Sequence, residues 1–466
     1  MAWSQDNLGV AGSNHAPLNT LYVNPSSIVD SKAFIDFNLV GVGAFAHNDF
    51  IYLPKESFSF MAFAGTPSRG VNYAYNTGKS RYKVVADVEV RGPSLMFNIK
   101  KSAIGFTTSV RSVTDVRGVS EEAVNFGLHG WNYEPQLNQQ HSLRNLRVTS
   151  LNWAEFGITC GTILMQNQNN DLLTGGVSLK RLIGLAGGGL RIHDWTYEVS
   201  DSSLTSYNID GAYGFNYADP EALGSWNKGQ GWGIDVGFTY KKTLSDVESY
   251  VPFSPKENCT TCDYRYKFAA ALIDIGRIRF DPPFIASTLD NDTPSEWEDF
   301  TTMSADNAEG LDAEIQNGLG NSGDGKSKHN MWLPGSITAQ FDLNLGRNFY
   351  VNSTLIQGIP WKNMLAPQRG SQWSLAPRWE TRNLEIAAPV TLHSWNDPSL
   401  GLMVRIRSII IGTDKLGTYF FKSDVYGADI YFSLKYTIFK SFKCPKLTDP
   451  VGRPMKRKGK AVPCWG

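Results

Sequence analysis

Apolar and polar residues alternate one for one along much of this chain. Between Trp232 and Lys241, the side chains of Trp232, Ile234, Val236, Phe238 and Tyr240 share one face, and Gly233, Asp235, Gly237, Thr239 and Lys241 share the other. Only an extended strand separates residues with a period of two, so this stretch predicts a strand with one apolar and one polar side. The pattern returns at Val84, Ala86, Val88 and Val90 against Val85, Asp87, Glu89 and Arg91, and at Ile35, Phe37 and Leu39 against Asp36 and Asn38. It is most sustained near the end, where Ala428, Ile430, Phe432, Leu434, Tyr436 and Ile438 alternate with Asp429, Tyr431, Ser433, Lys435, Thr437 and Phe439.

Such runs suit a tilted membrane strand of about 9–11 residues better than the roughly 5–6 usual in a sandwich. Short turns at Lys100-Lys101-Ser102 and Gly346-Arg347-Asn348 predict hairpins, while Glu121–His141 and Asp281–Asn330 read as long polar loops. Within the second loop, Ala305, Ala308, Leu311, Ile315 and Leu319 stand at helical spacing and predict one short helix over 304–319. Tight turns mixed with long loops are the organisation of an all-β, transmembrane, antiparallel up-and-down barrel, here of about 14 strands. A secreted β-sandwich or propeller is the competing architecture.

Composition sharpens the membrane reading. The chain has 466 residues, 44 of them glycine, with 12% aromatic and 19% charged residues. Its mean hydropathy is −0.27. No apolar run approaches the roughly 20 residues a transmembrane helix needs, and the stretch from Leu182 to Ile192 is broken by Gly187, Gly188 and Gly189. Membrane insertion therefore requires a barrel. Lys and Arg together number 44, as do Asp and Glu, so no overall field favours nucleic acid. The basic and apolar parts of a signal peptide are missing ahead of Gln5-Asp6-Asn7, and Met1-Ala2-Trp3-Ser4 reads as a cleavage remnant.

If the apolar faces meet lipid, the polar faces line the lumen. The expected lumen charges are Asp36, Asp87, Glu89, Asp235, Asp274, Asp342 and Asp429 with Arg91, Arg111, Lys180, Lys241, Arg405, Arg407 and Lys435. Signs so nearly balanced imply internal ion pairs more than an ion-selective pore. Residues 1–32 are polar and glycine-dotted, and read as a plug or a free arm. Residues 33–443 form the barrel, and 444–466 a proline-rich basic tail.

Candidate chemistry is sparse. Cys259 and Cys262 lack further zinc ligands nearby and suit a loop disulfide, Cys444 and Cys464 a bridge in the tail, and Cys160 lies on an apolar face with Phe156 and Ile158. The histidines at 15, 47, 129, 141, 193, 329 and 393 form no paired-ligand motif, and no nucleophile elbow occurs. Residues 318–323 match a dinucleotide fingerprint as text but follow a helix where that fold needs a strand. No catalytic, cofactor or metal residue is assigned. In the tail, Lys456, Arg457, Lys458 and Lys460 form a cationic run suited to contact with an envelope protein or peptidoglycan.

Several stretches resemble a Bacteroidota outer-membrane barrel family of unassigned function: Asn24-Pro25, Gly229 through Gly237, Leu272 through Gly276, and Leu333-Pro334-Gly335 leading into a strand. That family is similar to the long-chain fatty-acid transporter barrels and to the shuttle barrel of type nine secretion. The likeness spans roughly Asn24 to Phe439. It implies a barrel in outer-membrane lipid with an N-terminal hatch and both termini in the periplasm, with no catalytic activity and no cofactor. The barrel would either pass a hydrophobic small molecule or serve as a docking subunit of an envelope complex.

Overall fold

The computed structural model describes residues 6–54, 73–201, 203–216, 229–244, 248, 263–281, 284–298, 300, 308–320, 329–361, 365–416 and 424–439. The 21 ladder segments of its main sheet join end to end into 14 antiparallel barrel strands. These are β1 (Ile35–Asn48), β2 (Tyr82–Arg91, then Ser94–Ile99), β3 (Ser102–Val119), β4 (Gln140–Gln166) and β5 (Asp171–Val199). Next come β6 (Leu204–Asn216, then Gly229–Thr243), β7 (Tyr264–Phe280, then Phe284–Asn291 and Ser295–Trp297), β8 (His329–Trp332, then Ser336–Gly346) and β9 (Phe349–Gly358). The last five are β10 (Gln372–Glu380), β11 (Leu384–Ala387, then Val390–His393), β12 (Asp397–Leu400, then Leu402–Ile406), β13 (Ile409–Thr413) and β14 (Gly427–Ile438). β1 pairs with β14 from Ile35↔Ile438 to His47↔Gly427, which closes the barrel.

The alternation is inverted relative to a soluble protein. In β6, Trp232 is 56% exposed and Phe238 49%, while Asp235 is fully buried. Phe156, Ile158, Val177, Leu179, Phe268, Ile411 and Ile430 are likewise exposed on the outer face, as is Cys160. Along β6 the outer band runs from Tyr240 to Trp232, eight residues or roughly 26 Å of strand, with a half-exposed Val236 midway. No helix among the described residues is long and apolar enough to cross a membrane. An apolar exterior around a charged interior is the signature of a transmembrane β-barrel.

Tight turns gather on one rim. Arg347 and Asn348 turn with φ of 51° and 67°, and Lys100 with φ of 54°. Ile35 and Ile438 lie at the same rim, since Ile35 also pairs with Phe97, three residues before Lys100. Arg407, expected in the lumen, stands here instead: β12 ends at Ile406, and Arg407 is an exposed turn residue with φ of 49°. Alternation cannot continue past the end of a strand, so its side chain never faces inward.

On the other rim the wall rises unevenly. β4 has 27 residues and β5 has 29, far more than a bilayer crossing takes. Part of the expected 281–330 loop is strand as well: Phe284–Asn291 pairs with β6, its alternation masked in the sequence by Asp281-Pro282-Pro283. Helices α1 (Glu121–His129) and α2 (Ala308–Gly318) sit on this extension, the second within the predicted 304–319 segment. Ser120 caps α1 by accepting from the Ala123 N–H at 3.2 Å. Both helices close over an apolar cluster built from Phe126, Leu143, Tyr197, Leu204, Tyr213 and Leu289.

Val236 faces lipid near mid-height, so Val236→Arg is expected to destabilise the barrel by about 2–4 kcal/mol. Urea unfolding in lipid vesicles, followed by loss of the fast-migrating unheated gel band, measures this; an unchanged midpoint would place Val236 away from the hydrocarbon.

Candidate functional site

The barrel is full. Residues 6–33 run through its interior, nearly all of them buried. A four-residue helical turn at Pro17–Thr20 and a 3-10 turn at Pro25–Ile28 give this segment its shape, the second capped by the Asn24 side chain, which accepts from the Ser26 N–H. Asn24 also donates to Thr239 Oγ1 at 3.0 Å, and Gly237 leaves room for it: a Cβ there would fall 2.1 Å from Asn24 Oδ1 and 2.8 Å from Pro25 Cδ. A cavity of about 40 Å³ separates this segment from the wall near Lys241 and Gln340, space for about one or two waters.

Charged contacts seat the segment. Asp6 bonds Arg369 and Gln372, and Asp30 accepts from Lys241 Nζ at 2.9 Å. Ser13 Oγ donates to Glu385 at 2.7 Å, Asn14 Nδ2 to Glu380 at 2.6 Å, and Lys435 Nζ to the His15 carbonyl at 2.7 Å. The Arg91 guanidinium lies 4.0 Å from the centre of the Tyr22 ring.

Beneath these contacts the wall charges pair among themselves. A β-bulge in β7 sets Ile273 and Asp274 opposite Asp235 alone, with Asp274 at φ of 57°. Asp235 Oδ1 accepts from the Asp274 N–H at 2.7 Å, and Lys180 Nζ lies 2.7 Å from a carboxylate oxygen of each. Arg111 donates to Asp274 at 2.8 Å and lies 3.9 Å from Glu155, which accepts from Trp153 Nε1 at 3.1 Å. A second group joins Asp342 to Arg378 at 2.8 Å, Lys267 at 3.1 Å and the Tyr264 hydroxyl at 2.9 Å. Arg405 meets Glu385 at 2.9 Å, Lys435 meets Asp36 at 3.1 Å, Glu89 meets Arg91 at 2.7 Å, and Asp429 accepts from the Asp414 N–H at 2.5 Å. Asp87 is buried in the same interior.

An apolar belt stands among the charges: Val113, Leu151, Trp153, Leu182, Ile278, Phe280, Met331 and Leu333, all buried. Gly184 and Gly187 admit Phe280, since a Cβ would lie 2.7 Å from its ring at the first and 2.9 Å at the second. The segment 365–371 ahead of β10 lies inward over this belt. It brings Leu365 against it and carries Arg369 to within 3.6 Å of Asp274.

These features have a family. A model for a family of unknown function, DUF5723, matches residues 25–414. The chain belongs to that family. The match takes in three of the four stretches that suggested a barrel family of unassigned function, and begins at Pro25 of the fourth. Among curated proteins no match is found. Among solved structures, the toluene transporter TbuX of Ralstonia pickettii is 8% identical with a TM-score of 0.41, over 90% of this chain and 93% of that one. The toluene transporter TodX of P. putida is 9% identical at 0.39, over 91% and 94%. A Pseudomonas aeruginosa FadL homologue is 9% identical at 0.30, over 92% and 95%.

The sequence pattern brings most of its lumen charges together, but several partners lay outside it. Arg378 and Glu380 belong to an alternating stretch, Trp373 to Glu380, that the same rule detects, and Glu155 to another. Arg369, Asp6, Asp30 and Lys32 sit in irregular segments where no period marks an inward residue. His15, Glu380 and Glu385 bring three ligand atoms within 4.8 Å of one another. Arg378 and Arg405 already neutralise both carboxylates there, which disfavours a divalent cation. Cys259, Cys262, Cys444 and Cys464, and the basic run Lys456, Arg457, Lys458 and Lys460, lie outside the described residues.

Two outcomes follow. Asp274→Ala strips a carboxylate from Arg111, Lys180 and Arg369 together and is expected to cost about 3–5 kcal/mol, read as a lowered urea midpoint; a change under about 1 kcal/mol, as at exposed pairs, would show the cluster to be hydrated. The intact barrel is expected to conduct ions poorly in planar bilayers, and deletion of residues 6–32 to open a steady conductance. A large conductance in the intact protein would contradict the filled interior.

Proposed function

We propose that this barrel resides in the outer membrane, with the tight-turn rim facing the periplasm, and passes a hydrophobic small molecule without chemical change. The observation that carries this reading is the apolar belt, an oily layer of eight buried side chains set inside a barrel whose remaining interior is ion-paired and plugged. Apolar surface enclosed by a polar wall suits a guest that water does not solvate. The plug is seated by polar contacts and by two small apolar clusters, Val10 and Ala16 against Met403 and Ile410, and Leu21 and Ile28 against Met96 and Ala103, and both are separate from the belt. A docking barrel needs a filled lumen too, but gains nothing from an apolar layer within it.

The test is uptake. A deletion strain is expected to take up tritiated 1-decanol several-fold more slowly than its parent, and Leu365→Arg to fold, as judged by gel migration, yet fail to restore uptake. Unchanged uptake in the deletion strain would overturn transport in favour of docking.

A further inference from the structure

On the outside of the barrel, toward the rim opposite the tight turns, two arginines and two tryptophans alternate in one row. The strand register sets Arg181 of β5 opposite Trp232 of β6, Trp232 opposite Arg277 of β7, and Arg277 opposite Trp332 of β8. The residues next to them along the strands, Leu182, Ile278, Met331 and Leu333, belong to the buried belt, so the row faces away from the lumen. One row nearer mid-height the outward residues are Leu179, Ile234 and Ile275, all apolar. One row farther out are Gln230, Arg279 and Asn330, all exposed. The row therefore marks the level where hydrocarbon gives way to lipid headgroups.

This row is rich in donors and holds no carboxylate. The Arg181 guanidinium lies 5.1 Å from the centre of the Trp232 ring, and that of Arg277 lies 5.7 Å from the centre of the Trp332 ring. An indole face holds a guanidinium by cation–π attraction and leaves its in-plane N–H fork open. Arg181 donates to Gln230 Oε1 and to the Gly231 carbonyl at 3.4 Å, both neutral acceptors. Arg277 meets neither an acceptor nor a carboxylate among the described residues, and the indole N–H groups of Trp232 and Trp332 meet no acceptor there either. Arg279 has Asp281 at 3.6 Å, but both side chains are more than half exposed, and such a pair is weak. The tight-turn rim differs. There Asp171 takes Lys242 at 2.8 Å and accepts from the Tyr240 hydroxyl at 2.7 Å, so the outward cation is already neutralised.

We propose that Arg181, Trp232, Arg277 and Trp332 form a docking site on the outer wall for a membrane lipid whose headgroup ends in a phosphate monoester. Guanidinium and indole groups only donate, and an ionised phosphate supplies the acceptors and the negative charge that the row lacks. Arg181 and Arg277 stand two strands apart, about 10 Å, so the phosphate sits between them, above Trp232, and a guanidinium fork takes two of its oxygens at once. The acyl chains then lie along Leu179, Ile234 and Ile275. With the tight-turn rim in the periplasm, as proposed above, this lipid belongs to the leaflet at the cell surface. The site itself is independent of the transport reading, because it lies wholly outside the lumen.

Native mass spectrometry of the full chain in an uncharged detergent tests this, with dioleoyl phosphatidic acid, dioleoyl phosphatidylcholine and inorganic phosphate as probes. Phosphatidic acid is expected to bind at least about tenfold more tightly than phosphatidylcholine, the worth of one charge-assisted hydrogen bond, and much more tightly than inorganic phosphate. Arg181→Gln and Arg277→Gln should each remove most of that preference and leave phosphatidylcholine binding unchanged. Lys242→Gln, at the tight-turn rim, should leave the preference intact. Equal binding of the two lipids, a preference that survives both arginine substitutions, or an equal loss in Lys242→Gln overturns the site. Inorganic phosphate binding as tightly as phosphatidic acid overturns the lipid and leaves a free-anion site. A dimer that dissociates in Arg277→Gln assigns the row to a second copy and likewise overturns the lipid. Heat-shifted gel migration confirms that each variant is folded.

Discussion

In hydrocarbon an unpaired backbone N–H or C=O costs several kcal/mol, and no water is present to relieve it. A sheet can lie in that medium only without an edge, and the pairing of β1 with β14 removes it. Closure then forces the rest. Side chains alternate between lipid and lumen, so every outward Ile, Val or Phe commits its neighbours to a lumen that must be filled or flooded. In this chain it is filled, first by wall charges and then by the N-terminal segment.

Filling a lumen with charges is viable only when each finds its counter-charge, because a buried unpaired ion costs far more than a surface pair contributes. The bulge at Asp274 serves that need. By setting two residues opposite one, it turns a carboxylate toward Lys180, Arg111 and Arg369, which arrive from two other strands and the inward stretch. Asp6 then links Arg369 to the plug, so wall, inward stretch and plug share one electrostatic unit. The apolar belt has one such tie, from Trp153 Nε1 to Glu155. Its other residues pack through Phe280 and the two glycines that admit it.

The family is of unknown function, and the geometry supplies the functional argument. A plug seated by polar contacts and small apolar clusters, and an apolar layer, share the interior with the paired charges. The paired charges around them are fixed by mutual neutralisation and form a rigid frame.

What the sequence determined by itself was the wall. Period-two alternation is local: Trp232 to Lys241 declares its two faces whatever surrounds it, and Asp235, Lys241, Asp36 and Lys435 could be placed inward from it. Arg407 shows the limit of that rule, since alternation says nothing about where a strand stops. Tertiary structure alone decided which charges meet. Asp274 finds Arg111 at a separation of 163 residues, Asn14 finds Glu380 at 366, and Arg117 finds Gln368 at 251. Such contacts are set by barrel register and by the path of irregular segments, neither of which leaves a period in the chain. The register of Arg117, Arg147 and Arg191 is the clearest case: three positions far apart in sequence stand side by side when neighbouring strands pair.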